Sequence, residues 1–352
     1  MAAILDYLQS YQGRPLHLME VCGTHTAQIH RNGIPALLPP SIRLVSGPGC
    51  PVCVTVSSYI DRLIRLGLEE NHVIATFGDM LRVPGSRQSL SQARAEGCRV
   101  KMVYSPLDVL KLAEADPAHT YIFAAVGFET TAPVYALLLR RAMEKGITNL
   151  RLLTSLKVMP PVIDRICREY QDADVSCGID GFLAPGHVSV ITGSRVFGEL
   201  ARRHGIPFVV AGFEGGQILG AIAALVKLCG QADRGKMLNM YPSAVTLEGN
   251  LLAREAVNQY FEPCDAAWRG LGVIPASGLR LRREYAAFDA GGAGLVEDTG
   301  GNPACHCAQV LTGRIQPQQC PLFGRVCTPD SPQGACMVST EGSCFTRFQT
   351  TE

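Results

Sequence analysis

The sequence predicts an α/β fold: two similar parallel-sheet α/β domains facing a cleft, followed by a cysteine-rich C-terminal domain. Three observations predict it. Short continuous apolar runs alternate with amphipathic stretches through the first two-thirds of the 352 residues, the pattern of parallel strands covered by helices. A unit of apolar strand, Gly-Phe-Glu turn and helix occurs twice, in YIFAAVGFETT at 121–131 and PFVVAGFEGG at 207–216. Six of the fourteen cysteines (Cys305, Cys307, Cys320, Cys327, Cys336 and Cys344) fall in the last 48 residues.

The elements follow in chain order. Leu16–Val21 reads as a strand, and Ser57–Glu70 as an amphipathic helix. Val73–Phe77 and Val100–Tyr104 are short apolar runs. Ser105-Pro106 opens a helix through Ala115, with the serine as cap and the proline at the first helical position. Tyr121–Val126 is a strand, followed by a helix over Pro133–Lys145. Leu150–Thr154, the helix Pro161–Tyr170, Gly181–Leu183, the helix Ser194–His204 and Phe208–Ala211 continue the alternation. It fades after about Gly230, although Glu248–Tyr260 still reads as helical. The echo between the two Gly-Phe-Glu units suggests two related halves, with chemistry collected at the carboxyl ends of the strands. Chance similarity between two glycine-containing turns is the alternative. The segments expected are a first α/β domain at 1–147, a second at 148–240, and a C-terminal domain at 241–352.

Composition narrows the function. Apolar residues make up 47% and charged residues 18%, which suits a large buried core, and the net charge is +1. No basic patch suggests nucleic-acid or anionic-membrane binding. No apolar run reaches membrane-spanning length; the best, Leu219–Leu228, contains Lys227. The start, MAAILDYLQS, lacks a basic n-region. Cysteine use of this kind in a large chain fits metal or redox work in a reducing cytoplasm better than a secreted disulfide framework. Cys98, Cys167, Cys177, Cys229 and Cys264 sit singly and read as small buried hydrophobes, Cys177 least so because it opens CGIDGFLAPGH.

Four short blocks carry candidate chemistry. In Glu20-Val21-Cys22-Gly23-Thr24-His25-Thr26, Cys22 ends a strand, and Cys22 and His25 can both reach one metal if the segment turns. A structural cysteine beside a capping threonine explains C-x-x-H equally well. In Gly47-Pro48-Gly49-Cys50-Pro51-Val52-Cys53, the C-x-x-C pair lies on a Gly/Pro turn before a helix. A helix amino end lowers a thiol's pKa, and this spacing closes a disulfide reversibly. A redox dithiol is the preferred reading over half a zinc site or two cluster ligands. In Gly127-Phe128-Glu129-Thr130-Thr131, Glu129 and the threonines either cap the next helix or place a carboxyl group in the cleft. His187, in Pro185-Gly186-His187-Val188-Ser189, sits at a strand end and remains a candidate ligand.

The tail is the strongest signal. Six, eight and seven residues separate Cys320, Cys327, Cys336 and Cys344, gaps too long for paired zinc knuckles. Soft thiolates select zinc or an iron–sulfur cluster. A [4Fe-4S] cluster is wider than one ion and takes thiolates from separated turns. Cys305 and Cys307 are spare thiols, able to replace a ligand or to act beside the cluster.

Taken together, MEVCGTHT, SGPGCPVC, VGFETTAP, CGIDGFLAPGHVS and CPLFGRVCTPDSPQGACMVSTEGSC, in this order between residues 19 and 344, resemble the HypD family of hydrogenase maturation factors. The resemblance implies two similar α/β domains and a C-terminal [4Fe-4S] domain. It implies a cytoplasmic scaffold and redox protein, without independent turnover, that helps build the Fe(CN)2CO unit of [NiFe]-hydrogenases. A HypC-type small chaperone would share one Fe(II) with it while CN and CO ligands are added, the cyanide coming from a HypE-type donor. Carried onto this chain, Cys22 would be the iron thiolate with His25 beside it, and Cys50 and Cys53 the electron-passing dithiol. Glu129 and Thr130 would shape the cleft, and Cys320, Cys327, Cys336 and Cys344 would hold the cluster. The alternative is a free-standing iron–sulfur-dependent thiol/disulfide reductase. A zinc-stapled interaction module is the third possibility.

Overall fold

A computed structural model describes residues 2–172, 178–298 and 302–350. Its strands are β1 (Leu16–Glu20), β2 (Ile42–Ser46), β3 (His72–Thr76), β4 (Val100–Met102), β5 (Thr120–Gly127), β6 (Leu150–Lys157), β7 (Gly181–Ala184), β8 (Phe208–Val210), β9 (Met237–Asn239), β10 (Phe261–Trp268) and β11 (Gly272–Leu281). They form two sheets. One is parallel throughout, in the order β2-β1-β7-β8-β9. The other runs β10-β11-β6-β5-β3-β4, parallel from β6 to β4 and antiparallel at the β10–β11 end.

The predicted α/β class with parallel-dominated sheets is therefore observed. The two copies of the Gly-Phe-Glu unit follow β5 in one sheet and β8 in the other. Each sheet, however, is assembled from separate stretches of chain. After β2 the chain leaves to build β3 to β6 and returns to place β7 beside β1. It leaves again after β9, and β11 then pairs with β6. Residue 147 falls between β5 and β6, which are hydrogen-bonded neighbours. The contiguous segments 1–147, 148–240 and 241–352 are thus not the units of the sheets.

Several elements differ from the sequence reading. The helix expected from Ser105-Pro106 spans Asp108–Ala115. Its entry is still organised by those residues: Ser105 Oγ accepts from Leu107 N at 3.3 Å, and Asp108 Oδ2 accepts from Ser105 N at 3.0 Å. The polar stretch after Cys22 is a helix, Gly23–Arg31. The fading alternation after Gly230 hides the β10–β11 hairpin. There burial follows an irregular pattern because a bulge between Cys264 and Ala266 shifts the register. Cys98 and Cys167 are buried thiols, as read from sequence, and Cys229 and Cys264 are half-buried; Cys177 lies outside the described residues. No described helix is long and apolar enough to cross a membrane.

The cores explain the continuous apolar runs. β5 is buried along nearly its whole length because helices cover both faces of an interior strand. On it, Phe123 is fully buried and meets Phe77 and Tyr135 edge-on, at ring separations of 5.6 and 5.5 Å. A separate core joins the two sheets and the tail. It includes Cys50, Cys53, Phe128, Met159, Phe182, Phe208, Trp268, Cys336 and Cys344. The tail is therefore built into the body of the molecule, and its last helix, Ser343–Gln349, packs on the helix Gly23–Arg31. Phe123→Ala removes a whole ring from a site that cannot collapse. It is expected to cost about 3–5 kcal/mol, read as a lower denaturation midpoint at unchanged slope.

Candidate functional site

The candidate residues follow the carboxyl ends of parallel strands: Cys22 after β1, Cys50 and Cys53 after β2, Glu129 after β5, His187 after β7 and Phe213 after β8. Side chains there are free of the ladder and meet across the ends of the sheets.

Cys22 and the Cys50–Cys53 loop are tied together by backbone. Gly47 N donates to Glu20 O at 2.7 Å, and Gly23 N donates to Gly49 O at 2.9 Å. Gly49 is so close to the neighbouring strand end that an added Cβ would lie 2.3 Å from Cys22 N. Glycine is needed here for room, since no side chain fits. Cys22 is the N-cap of the helix Gly23–Arg31, without a side-chain capping bond. Burial pushes its thiol up to about 12, partly opposed by the N–H groups of His25 and Thr24. The residue below it, Glu20, is buried; its Oε2 accepts from Cys22 N at 3.0 Å and its Oε1 from the Thr26 hydroxyl. Burial raises Glu20 from 4.5 to about 7 against those hydrogen bonds.

His25 is fully buried. Its Nε2 lies 3.0 Å from Gly212 O, so Nε2 carries the hydrogen and Nδ1 the lone pair. That Nδ1 has no partner. Burial lowers the ring to about 4, which keeps it neutral and available as a ligand near neutral pH. Phe213, from the second Gly-Phe-Glu turn, lies between two histidines: 4.7 Å from the His25 ring and 3.9 Å from that of His187. The tail reaches this place through Glu341, whose Oε1 accepts from Thr24 Oγ1 at 2.8 Å. An added Cβ on Gly23 would meet Glu341 Cβ at 2.6 Å.

The sulfurs form a chain of contacts. The Cys53 thiol is fully buried, and burial together with contacts to Cys336 and Cys50 raises it well above its ordinary value. Cys336 also contacts Cys307 and Cys344. Cys305 Sγ lies 3.4 Å from Cys307 Sγ. Cys327 accepts from Gln333 N at 3.4 Å, and burial raises its thiol, with Cys305 and Cys320 close enough to add to the rise. Gly334 lies against two of these thiols, its virtual Cβ 2.4 Å from Cys307 Sγ and 2.7 Å from Cys305 Sγ. Every described cysteine is free. Among the described residues, no three His, Cys, Asp or Glu side chains converge on a position for a single metal ion. A set of soft, buried, closely spaced thiols with glycine backbone against the sulfur fits an iron–sulfur cluster in donor type and crowding.

Glu129 takes neither role read from its sequence block in full. It does not cap the following helix, whose N-cap, Thr131, has no side-chain capping bond. Instead its Oε1 accepts from Met159 N at 2.7 Å, at the start of the helix after β6, while Oε2 is buried without a partner. Burial raises it from 4.5 to about 7. Thr130 is half-buried beside it. Phe128 stacks on Trp268 at 5.9 Å, and both share a core with Cys50 and Cys53.

The family model described as HypD, Hydrogenase formation hypA family, matches residues 1–351. The chain belongs to the HypD family. It is 43% identical over 349 residues to the hydrogenase maturation factor HypD1 of Bradyrhizobium diazoefficiens, covering 98% of this chain and 91% of that protein. Identity is 42% to HypD of Azotobacter vinelandii, covering 94% and 88% of the two chains. It is 40% to HypD of Escherichia coli, covering 96% and 89%. This HypD-family chain is a hydrogenase maturation factor.

Two residues escaped the sequence reading. Glu20 looked like the end of a strand, and Glu341 like a polar residue between two tail cysteines. The local turn after β1 folds the Glu20 carboxyl group back onto Cys22 N, and a long-range contact brings Glu341 to Thr24. Because Glu129 binds its proton more tightly when folded, its contribution falls as pH rises from about 4.5 through about 7. Glu129→Gln is expected to flatten that fall, measured as denaturant stability at acid and neutral pH.

Proposed function

We propose that this chain works as an iron-holding scaffold and thiol relay in assembly of the Fe(CN)2CO unit. It would act together with a HypC-type chaperone and receive cyanide from a HypE-type donor. The observation that carries the reading is that backbone sets Cys22 beside the loop of a dithiol whose Cys53 touches the tail thiols. The Gly49 loop abuts Cys22, and the dithiol on that loop touches Cys336 of the tail.

Cys22 is the proposed thiolate for the cargo iron. A thiol at about 12 stays protonated near neutral pH, so it loads by giving up its proton as the cation arrives. Glu20, at about 7, hydrogen-bonded to the Cys22 backbone, is placed to hold or pass that proton. His25 Nδ1 offers a neutral nitrogen lone pair from the next turn of chain. Two donors do not complete an iron site, so the chaperone's own cysteine would supply another and make binding depend on the complex.

Release of cyanide from a sulfur carrier is a two-electron reduction. Closing Cys50 and Cys53 to a disulfide yields two electrons and two protons: the carrier's sulfur–carbon bond breaks, cyanide leaves, and the carrier sulfur departs as a thiolate. Cys320, Cys327, Cys336 and Cys344 are proposed to hold a [4Fe-4S] cluster. When bound, it would pass electrons singly from an external one-electron reductant, two of them restoring the dithiol with two protons. Cys336 is then the residue at the junction, since its sulfur meets Cys53. Glu129 and Thr130 line the neighbouring strand end, where Glu129 positions the start of the following helix.

Anaerobic copurification with the chaperone, followed by infrared spectroscopy, tests the iron assignment. Cyanide and carbonyl stretching bands are expected from the wild-type complex and absent with Cys22→Ala; bands persisting in that variant overturn it. Cys50→Ser is expected to retain iron yet abolish hydrogenase maturation. Serine at each of Cys320, Cys327, Cys336 and Cys344 is expected to remove acid-labile sulfide, whereas Cys305→Ser retains it.

A further inference from the structure

A cavity lies away from these thiols, at the end of β6. It is about 410 Å3, large enough for a small organic molecule. Its origin is a failure of strand pairing. β11 pairs with β6 at only two positions, Gly278 with Lys157 and Leu279 with Leu156. Beside it, the register of β10 against β11 shifts at the bulge between Cys264 and Ala266. The glycine-rich stretch 291–294 crosses the opening, with Gly292 so close that an added Cβ would lie 2.7 Å from Thr154 O.

Lys157 lines this cavity and is only 3% exposed. Its Nζ donates to Ser155 Oγ at 2.9 Å and lies 5.9 Å from the centre of the Trp268 ring. A hydroxyl and a ring face leave an ammonium group, with three hydrogens to donate, without a counter-charge. Of the other charged groups on the wall, Arg280 pairs with Glu262 at 2.9 Å, and Asp265 accepts from Ala276 N at 3.0 Å. Cys264, whose charge acts on the lysine, and Tyr59 are the other titratable groups of the wall. Burial lowers Lys157 to about 8, so a substantial cationic fraction remains near neutral pH at a high desolvation cost. A bound oxyanion would offset that cost, whereas a neutral ligand would leave it in place.

We propose that this cavity binds a small organic molecule through a terminal oxyanion placed on Lys157, with the rest of the ligand against Val56 and Leu279. Phosphate monoesters and carboxylates share this chemistry, and both are small enough to enter. The site belongs to the β6 end of the second sheet and uses none of the proposed iron or cluster residues.

The test uses the full-length, anaerobically prepared chain, with inorganic phosphate and propionate as separate probes in calorimetric titration. Saturable binding of at least one probe is expected, at one site per chain. Phosphate alone would identify a phosphate ester and propionate alone a carboxylate; either result, or binding of both, supports the site. Lys157→Gln is expected to weaken binding at least tenfold while leaving iron and sulfide content unchanged. With 15N-lysine in the wild-type chain, the same probe is expected to move the Lys157 Nζ resonance, a readout that does not depend on the variant folding. Absence of saturable binding by both probes, wild-type affinity in Lys157→Gln, or an unmoved Lys157 signal would overturn the proposal.

Discussion

The abutment of Gly49 on the end of β1 is the constraint on which the site depends. Two hydrogen bonds, Gly47 N to Glu20 O and Gly23 N to Gly49 O, hold one loop against another across parallel neighbours. That contact sets Cys22 beside the dithiol loop without using any side chain. The same loop then turns Cys53 inward against Cys336. Backbone geometry thus brings together residues whose chemistry depends on thiol groups, and a side chain at residue 49 would separate them.

Around that contact the protein keeps ionisable groups away from water. Cys22, Glu20, His25 and Glu129 are all displaced toward their neutral forms, with burial as the leading cause in each case. A neutral site costs less to bury than a charged one and leaves lone pairs available for an arriving cation. The unpartnered Nδ1 of His25 and Oε2 of Glu129 are the visible residue of that arrangement. Buried polar atoms without partners are uncommon, and each calls for an explanation. Lys157, at the carboxyl end of the interior strand β6, is likewise lowered by burial.

The tail shows how a segment poor in regular structure becomes ordered. It contributes only short helices, the longest being Ser343–Gln349. Its cysteines and aromatic residues enter the core shared by both sheets. Arg82 reaches over to donate to Val338 O at 3.2 Å, and Glu341 receives Thr24 Oγ1. The tail therefore closes over Cys22 as well as presenting thiols to Cys53.

Local pattern was enough for much of this protein. Apolar runs such as Tyr121–Val126 announced interior parallel strands because an interior strand is buried on both faces. The five motif blocks announced the family, because cysteine, histidine and glycine in fixed order leave little room for accident. The irregular β10–β11 hairpin was not legible, since its bulge breaks the alternation that marks a strand. Nor was the division of strands between sheets, which depends on β7 pairing with β1 and β11 with β6 over more than a hundred residues. The sequence by itself determined which residues carry thiol and imidazole chemistry and that strands and helices alternate. Only the tertiary structure decided that Glu341 reaches the Cys22 segment, that Cys53 meets Cys336, and that Lys157 faces a cavity. Those facts are distances between remote segments, and no local preference encodes a distance between chain segments that meet only after folding.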